Sequence, residues 1–323
     1  MRRWAGLAAA LALAGCAPQA AQLPAAPMAA GPGIRVLAQP VAEAPAPLPA
    51  SRFAWAGGLV LTSTDTSRLH GLSDLDVQPN GRLTAVSDEG DLVKGRIVLD
   101  AAGRLAGVAD MTLVSLIDVD GRALSGRKAV ADSEGLARWP NGDLMVSFEA
   151  RNDILLYPAA GGPPRKVPRP DSDFPVNDGM EALALDPAHG TDAYLVGRED
   201  TRQTWTCRLA GGCVAGFVVP QQGVGKLVSA RPMPGGGWVF LLRDFQPLAG
   251  NTIWIVITDA AGRTVDVHVI KRPATVDNLE GVAALPHKDG RVRLYLVSDD
   301  NFGSNQRTLL LAFDWTPPTG RTP

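Results

Sequence analysis

Residues 133–150 read SEGLARWPNGDLMVSFEA, a phrase with a small-acidic start, an apolar run, a Pro-Asn-Gly turn, a second apolar run and an acidic end. An Asn-Gly pair between two β-prone runs is a hairpin signal. The phrase recurs as LSDLDVQPNGRLTAVSDEG (72–90), MEALALDPAHGTDAYLVGRED (180–200), LVSARPMPGGGWVFLLRDF (227–245) and LEGVAALPHKDGRVRLYLVSDDN (279–301). Aligning Asp74, Glu134, Glu181, Ser229 and Glu280 as equivalent places successive copies 60, 47, 48 and 51 residues apart.

Each copy is followed by further strand-like runs, such as Asp153–Tyr157 and Thr252–Thr258. Three or four antiparallel strands in about 50 residues make one blade of a β-propeller. The chain is therefore expected to be all-β, a propeller of five blades, or six if the 91–131 stretch holds another. The last copy supplies only three strands, and Arg52–Thr62 (RFAWAGGLVLT) is the expected outer strand that closes the ring. Two β-sandwich domains are the structural alternative.

Composition fits this reading. Gly (35) and Pro (26) are abundant in the 323 residues, which favours turns over long helices. With 31 Lys and Arg against 33 Asp and Glu, the net charge of −2 excludes a nucleic-acid binder working through a basic surface. The domain is expected to be a monomer.

The start, MRRWAGLAAALALAGC, has a basic pair and an apolar stretch too short to span a bilayer, so residues 1–16 read as a signal peptide. Leu13-Ala14-Gly15-Cys16 resembles a bacterial lipobox, which implies acylation of Cys16, and Ala17 after it implies an outer-membrane lipoprotein facing the periplasm or cell exterior. Residues 17–50 hold 8 Pro and 12 Ala in 34 positions and read as a semi-rigid tether, with Ile34–Leu37 able to dock on the fold. The globular domain is expected over 51–317, with 318–323 a tail. Removal of the signal leaves 29 basic residues against 33 acidic. Cys207 and Cys213 flank an Ala-Gly-Gly turn on facing strands and should form a disulfide in an oxidising compartment, contributing about 2–3 kcal/mol.

Strand starts and second-strand ends of antiparallel hairpins share one edge. One face of the ring should therefore gather Asp74, Glu134, Glu181 and Glu280 from the starts. Asp88, Glu89, Glu149, Glu199, Asp244, Asp299 and Asp300 come from the ends, with Arg151, Arg198, Lys226 and Arg243 among them. Hard oxygen donors in such a cluster suit Ca²⁺ or Mg²⁺. Glu134, Glu181 and Glu280 are the candidate catalytic residues, as ligands or general base. Asp74, Glu149, Asp299 and Asp300 are candidate metal ligands, and Arg198, Arg243 and Lys226 candidate contacts to a substrate anion. Each carboxylate has a structural alternative, in which it locks neighbouring blades together. There is no Gly-x-Ser-x-Gly elbow and no zinc spacing, and His70 is the one histidine near the acidic edge.

Ser133-Glu134-Gly135-Leu136 with Val146–Glu149, Met180-Glu181-Ala182-Leu183, Asn278-Leu279-Glu280-Gly281, and the tail Tyr295–Phe302 with Gln306–Leu310 resemble the phytase-like propeller family known as "esterase-like activity of phytase". The resemblance extends over roughly residues 55–315 and implies hydrolysis of a phosphoester or carboxyl ester, with a small anionic ester as substrate. Two other functions compete with it. One is a non-catalytic envelope lipoprotein that binds an envelope component, favoured by Ser229 at the fourth start. The other is a lactonase-like sugar-acid hydrolase.

Overall fold

Strands buried on both faces lose the polar–apolar alternation of a surface strand and become near-continuous apolar runs. Such runs fill this chain. The computed structural model describes residues 31–41, 51–175, 178–274, 276–303 and 305–318. The expected signal peptide, Cys16 and most of the expected tether and tail lie outside the described residues.

Five antiparallel sheets make a five-bladed propeller. Blade 1 is β3 (Leu72–Val77), β4 (Arg82–Ser87), β5 (Asp91–Leu99) and β6 (Leu105–Ser115). Blade 2 is β7 (Ser133–Arg138), β8 (Leu144–Phe148), β9 (Asp153–Tyr157) and β10 (Arg165–Val167). Blade 3 is β11 (Met180–Leu185), β12 (Ala193–Arg198), β13 (Gln203–Arg208) and β14 (Cys213–Val218). Blade 4 is β15 (Lys226–Pro232), β16 (Trp238–Gln246), β17 (Gly250–Thr258) and β18 (Thr264–Lys271). Blade 5 takes β19 (Asn278–Pro286), β20 (Val292–Asp299) and β21 (Leu309–Trp315) from the end of the chain and β2 (Phe53–Ser63) from its beginning.

The expected closing strand is thus β2, paired along β21 from Phe53↔Trp315 to Val60↔Leu309. The six-blade alternative falls. Residues 91–115 are the two outer strands of blade 1, and 116–132 form a connection containing one helical turn, α1 (Lys128–Ala131). The ordered fold also starts earlier than Ser51. β1 (Val36–Pro40) adds a fifth strand to blade 5 against β2, and Ile34 N–H donates to Met111 C=O (2.8 Å) on blade 1. The docking piece thus clasps the two blades on either side of the closure.

Apolar side chains pack in five clusters, one at each junction between neighbouring blades. β16 shows why its sequence is unbroken: Val239 and Leu241 face blade 5, while Trp238, Phe240 and Leu242 face blade 3. Cys207 and Cys213 are directly opposed on β13 and β14 and are disulfide-bonded, as expected.

The innermost strands surround a hub that is filled rather than open. Asp74 of blade 1 accepts from Arg231 Nη2 (2.8 Å) and Ser229 Oγ (3.1 Å) of blade 4 and from Leu136 N–H (2.8 Å) of blade 2. Arg231 also donates to Leu183 C=O of blade 3 (3.1 Å) and Leu75 C=O of blade 1 (2.6 Å). Ser229 Oγ accepts from Val282 N–H of blade 5 (3.2 Å). One network thereby joins all five blades. Gly281 is required beside it, because a Cβ there would lie 2.7 Å from Asp74 Cα.

Replacing Asp74 by Ala strands a buried guanidinium that cannot shed its proton, and should lower the unfolding free energy by about 3–5 kcal/mol. Arg231→Met should cost less at mildly acidic pH, because Asp74 can take up a proton instead. Urea denaturation of the two variants beside the wild-type protein measures the difference.

Candidate active site

In all five innermost strands the ladder slips by one residue near its start. The slip lies between Leu72 and Asp74, Ser133 and Leu136, Met180 and Ala182, Leu227 and Ser229, and Leu279 and Gly281. A bulge leaves its extra residue unpaired and re-aims that side chain. The bulged residues are Ser73, Glu134, Glu181, Val228 and Glu280. This corrects the alignment of the repeats: Asp74 and Ser229 sit one place later than the three glutamates, level with Ala182 and Gly281, and enter the hub. The bulges deliver three carboxylates to one face of the ring.

The three are joined there by residues from the hairpin ends and the connections before the innermost strands. Carboxylate oxygens of Asp132, Glu134 and Glu149 all lie within 4.8 Å of one another, and those of Glu149, Glu181 and Glu199 do the same. Glu149 is the shared member, held by the Gly179 N–H (2.9 Å). Gly179 has no side chain to spare, since a Cβ would meet Glu149 Cγ at 2.6 Å.

Arg243 bridges the remaining members. Its guanidinium lies 3.4 Å from Glu280 and 3.7 Å from Glu199, and it donates to Asn278 Oδ1. Asn278 Nδ2 in turn donates to Glu280 Oε1 (2.7 Å) and lies 3.4 Å from Asp299 Oδ2. Lys226 reaches Glu199 (3.3 Å) and Asp178 (2.6 Å) at the edge of the group.

Burial of so many like charges raises their pKa values. Burial and then the neighbouring glutamates push Glu134 and Glu181 well above the ordinary carboxylate range. Glu149 is also raised, chiefly by burial. Burial lifts Glu199 to about 6 against the pull of Lys226 and Arg243, and Glu280 to about 8 against Arg243. Burial opposes the charge on Arg243, but Glu280, Glu181 and Glu199 more than restore it. Without a cation, the cluster holds protons at neutral pH.

Of the candidates from sequence, Glu134, Glu149, Glu181, Glu280, Asp299, Arg243 and Lys226 come together. Three do not. Asp74 belongs to the hub, where burial raises its pKa to about 6 in spite of Arg231. Asp300 organises a turn: it accepts from the N–H groups of Gly71 and Phe302 (3.2 Å each) and from Thr308 Oγ1 (2.9 Å). Arg198 is turned onto Asp200 (2.6 and 2.9 Å) and the Asp173 carbonyl (2.8 Å), so all three of its nitrogens are engaged. His70 stacks edge-on against Phe302 and lies 3.6 Å from Glu89.

Sequence reasoning assigned no role to Glu199, although the hairpin-end rule that selects Glu149 points to it equally. Asp132 and Asn278 each sit two residues ahead of a bulged glutamate. An acidic or amide residue preceding the repeat was the available signal.

The all-carboxylate donor set, with amide and guanidinium groups around it, fits a hard divalent cation such as Ca²⁺ or Mg²⁺ and offers no soft ligand for zinc or copper. Fold and site together define a five-bladed propeller with a buried acidic centre on one face. The chain belongs to the phytase-like family described as "esterase-like activity of phytase", which it matches over residues 67–302.

Its shape is similar to that of a candidate gluconolactonase (15% identity, 92% of this chain and 94% of that one, TM-score 0.48). It is also similar to virginiamycin B lyase from Staphylococcus aureus (11% identity, 89% and 90%, TM-score 0.41). A third similar structure is the Cps50 (Swd1) propeller domain of Myceliophteria thermophila (12% identity, 72% and 67%, TM-score 0.37). No curated protein matches the sequence.

The raised carboxylates fix the sign of a pH effect. Glu280 binds its proton more tightly folded (about 8) than unfolded (4.5), so its contribution is complete below about pH 4.5 and is lost as pH rises through 8. With a chelator present, the melting temperature should fall by several degrees between about pH 5 and about pH 8. Ca²⁺ or Mg²⁺ should flatten that slope, with proton release on binding, and calorimetry in buffers of different ionisation enthalpy measures the release.

Proposed function

We propose that this face is the active site of a metal-assisted hydrolase acting on a small anionic ester, phosphate or carboxyl. The observation that carries the proposal is the pairing of Glu280, whose pKa of about 8 suits proton transfer at neutral pH, with an adjacent carboxylate cluster that fits a hard cation. Asp132, Glu134, Glu149, Glu181 and Glu199 would hold the cation. Bound there, it would supply Lewis-acid polarisation of the ester or phosphoryl oxygen.

The chain's own groups do the rest. Glu280, which carries a proton at neutral pH, gives it to the leaving oxygen and recovers one from the attacking water. Asn278 donates to Oε1 of Glu280, which leaves the other oxygen to carry the transferable proton. Arg243, between Glu280 and Glu199, and Lys226 at the edge hold the substrate anion and set its orientation. The lipobox-like end of the leader supports a lipid anchor at Cys16, with the domain held at the outer membrane as a monomer.

A panel of phosphomonoesters and carboxyl esters, assayed with Ca²⁺, with Mg²⁺ and with a chelator, tests this reading. Glu280→Gln should lower kcat by about 10²–10⁴-fold and keep the metal-induced rise in melting temperature. Glu181→Gln should lose that rise as well. Full activity in Glu280→Gln removes it from the chemistry. Metal binding with no turnover on either ester class would make the face a binding surface for an envelope component.

A further inference from the structure

A second charged site lies on the opposite side of the hairpins, in the cleft between blades 1 and 2, and its sign is reversed. The cleft has a volume of about 350 Å³ and is lined by Arg82, Thr84, Lys94, Arg96 and Arg138, with Asp110 at its edge. The pleat explains the convergence. Arg82 is directly opposite Arg96 and Thr84 is opposite Lys94, so these four side chains share one face of blade 1. Arg138 enters from blade 2 and donates to Asp76 (2.6 Å) and to Thr84 Oγ1.

The charges do not balance. Asp76 is occupied by Arg138, and Asp110 by Arg96 at 2.9 Å. Arg82 and Lys94 have no ion-pair partner among the described residues. Like charges directly opposite on paired strands are unfavourable, and a half-buried ammonium without a counter-ion is more so. Burial and then Arg138 hold the Lys94 pKa below its ordinary value. Arg82 and Arg96 lie exposed at the mouth of the cleft, and the half-buried Lys94 between the strands is left without a counter-ion. A doubly charged tetrahedral oxyanion accepts from several such donors and cancels the excess.

We propose that the cleft between blades 1 and 2 binds a phosphate dianion, held by Lys94, Arg82 and Arg96 with Thr84 as a neutral donor. The site is separate from the acidic face and does not depend on the reaction assigned to it. Phosphate in free form and phosphate on a lipid headgroup present the same chemistry.

The test is calorimetric titration of the full domain with inorganic phosphate at low salt, with a chelator present so that the acidic face holds no cation. One phosphate should bind per chain. Lys94→Met, which keeps the aliphatic stem, should weaken it about tenfold or more, and Arg263→Gln, at an exposed cation of blade 4 outside both sites, should leave it unchanged. Melting curves give a second readout that does not need the variant to bind anything. Without phosphate Lys94→Met should melt at or above the wild-type temperature, and phosphate should raise the wild-type value more than the variant's.

Sedimentation with phosphatidylcholine vesicles, with and without phosphatidic acid, separates the two sources. Binding only with phosphatidic acid, competed by free phosphate, assigns a headgroup; no vesicle binding assigns a soluble ligand. Equal phosphate affinity in Lys94→Met, an equal loss of affinity in Arg263→Gln, or no heat and no melting shift in the wild-type protein would each overturn the proposal.

Discussion

The Asp74–Arg231 pair is the constraint on which the ring depends. Neither side chain reaches its partner along its own blade; they meet across the axis, from blades 1 and 4. Their spare hydrogen-bonding capacity, with that of Ser229, is taken up by backbone groups of blades 2, 3 and 5. A buried ion pair adds little stability beyond what apolar residues would give, but it tolerates few alternative geometries. Apolar packing between neighbouring blades holds each junction; the hub pair sets how the five junctions meet.

The acidic face follows from the same strands a residue earlier. Because each innermost strand bulges near its start, the residue at the bulge is released from the ladder, and where it is glutamate its carboxylate joins the acidic face. Glutamate at three of the five bulges places carboxylates where burial and mutual repulsion work against their ionisation. The bulge in blade 4 carries Val228 instead, and that side of the site is occupied by Arg243 and Lys226. The asymmetry gives the face a carboxylate-lined side and a cationic side, an arrangement suited to holding a cation and an anion next to each other.

Periodicity made the repeat, the blade boundaries and the closing strand readable, since hairpin turns and apolar runs leave local marks. The bulges leave none. An inserted unpaired residue looks like any other in a strand, so Asp74 and Ser229 align with the glutamates by phase and yet perform a different task. Arg231 was invisible for a related reason: its partners lie on other blades, and only the closed ring brings them within reach. Asp300 and Arg198 stand beside genuine members of the cluster in sequence, but local partners, a turn and Asp200, take up their hydrogen-bonding groups. Phe53–Ser63 was legible because the last repeat visibly lacked a strand. That β1 extends the sheet further was only hinted at by Ile34–Leu37, since a single short edge strand carries almost no pattern.

The closure of blade 5 has a kinetic consequence. The pairing of β2 with β21 joins segments from opposite ends of the described fold, so the loop it closes contains four complete blades. Contacts of such long sequence separation form late, because chain entropy must be lost before they contribute. Until then β2, with Leu59 and Leu61 destined for the blade 5–blade 1 junction, has an unsatisfied edge and an uncovered apolar face. For a chain made from its N-terminus, this strand is among the first to appear and the last to find its place. Its time as an open edge is when the protein is most exposed to pairing with another copy of itself.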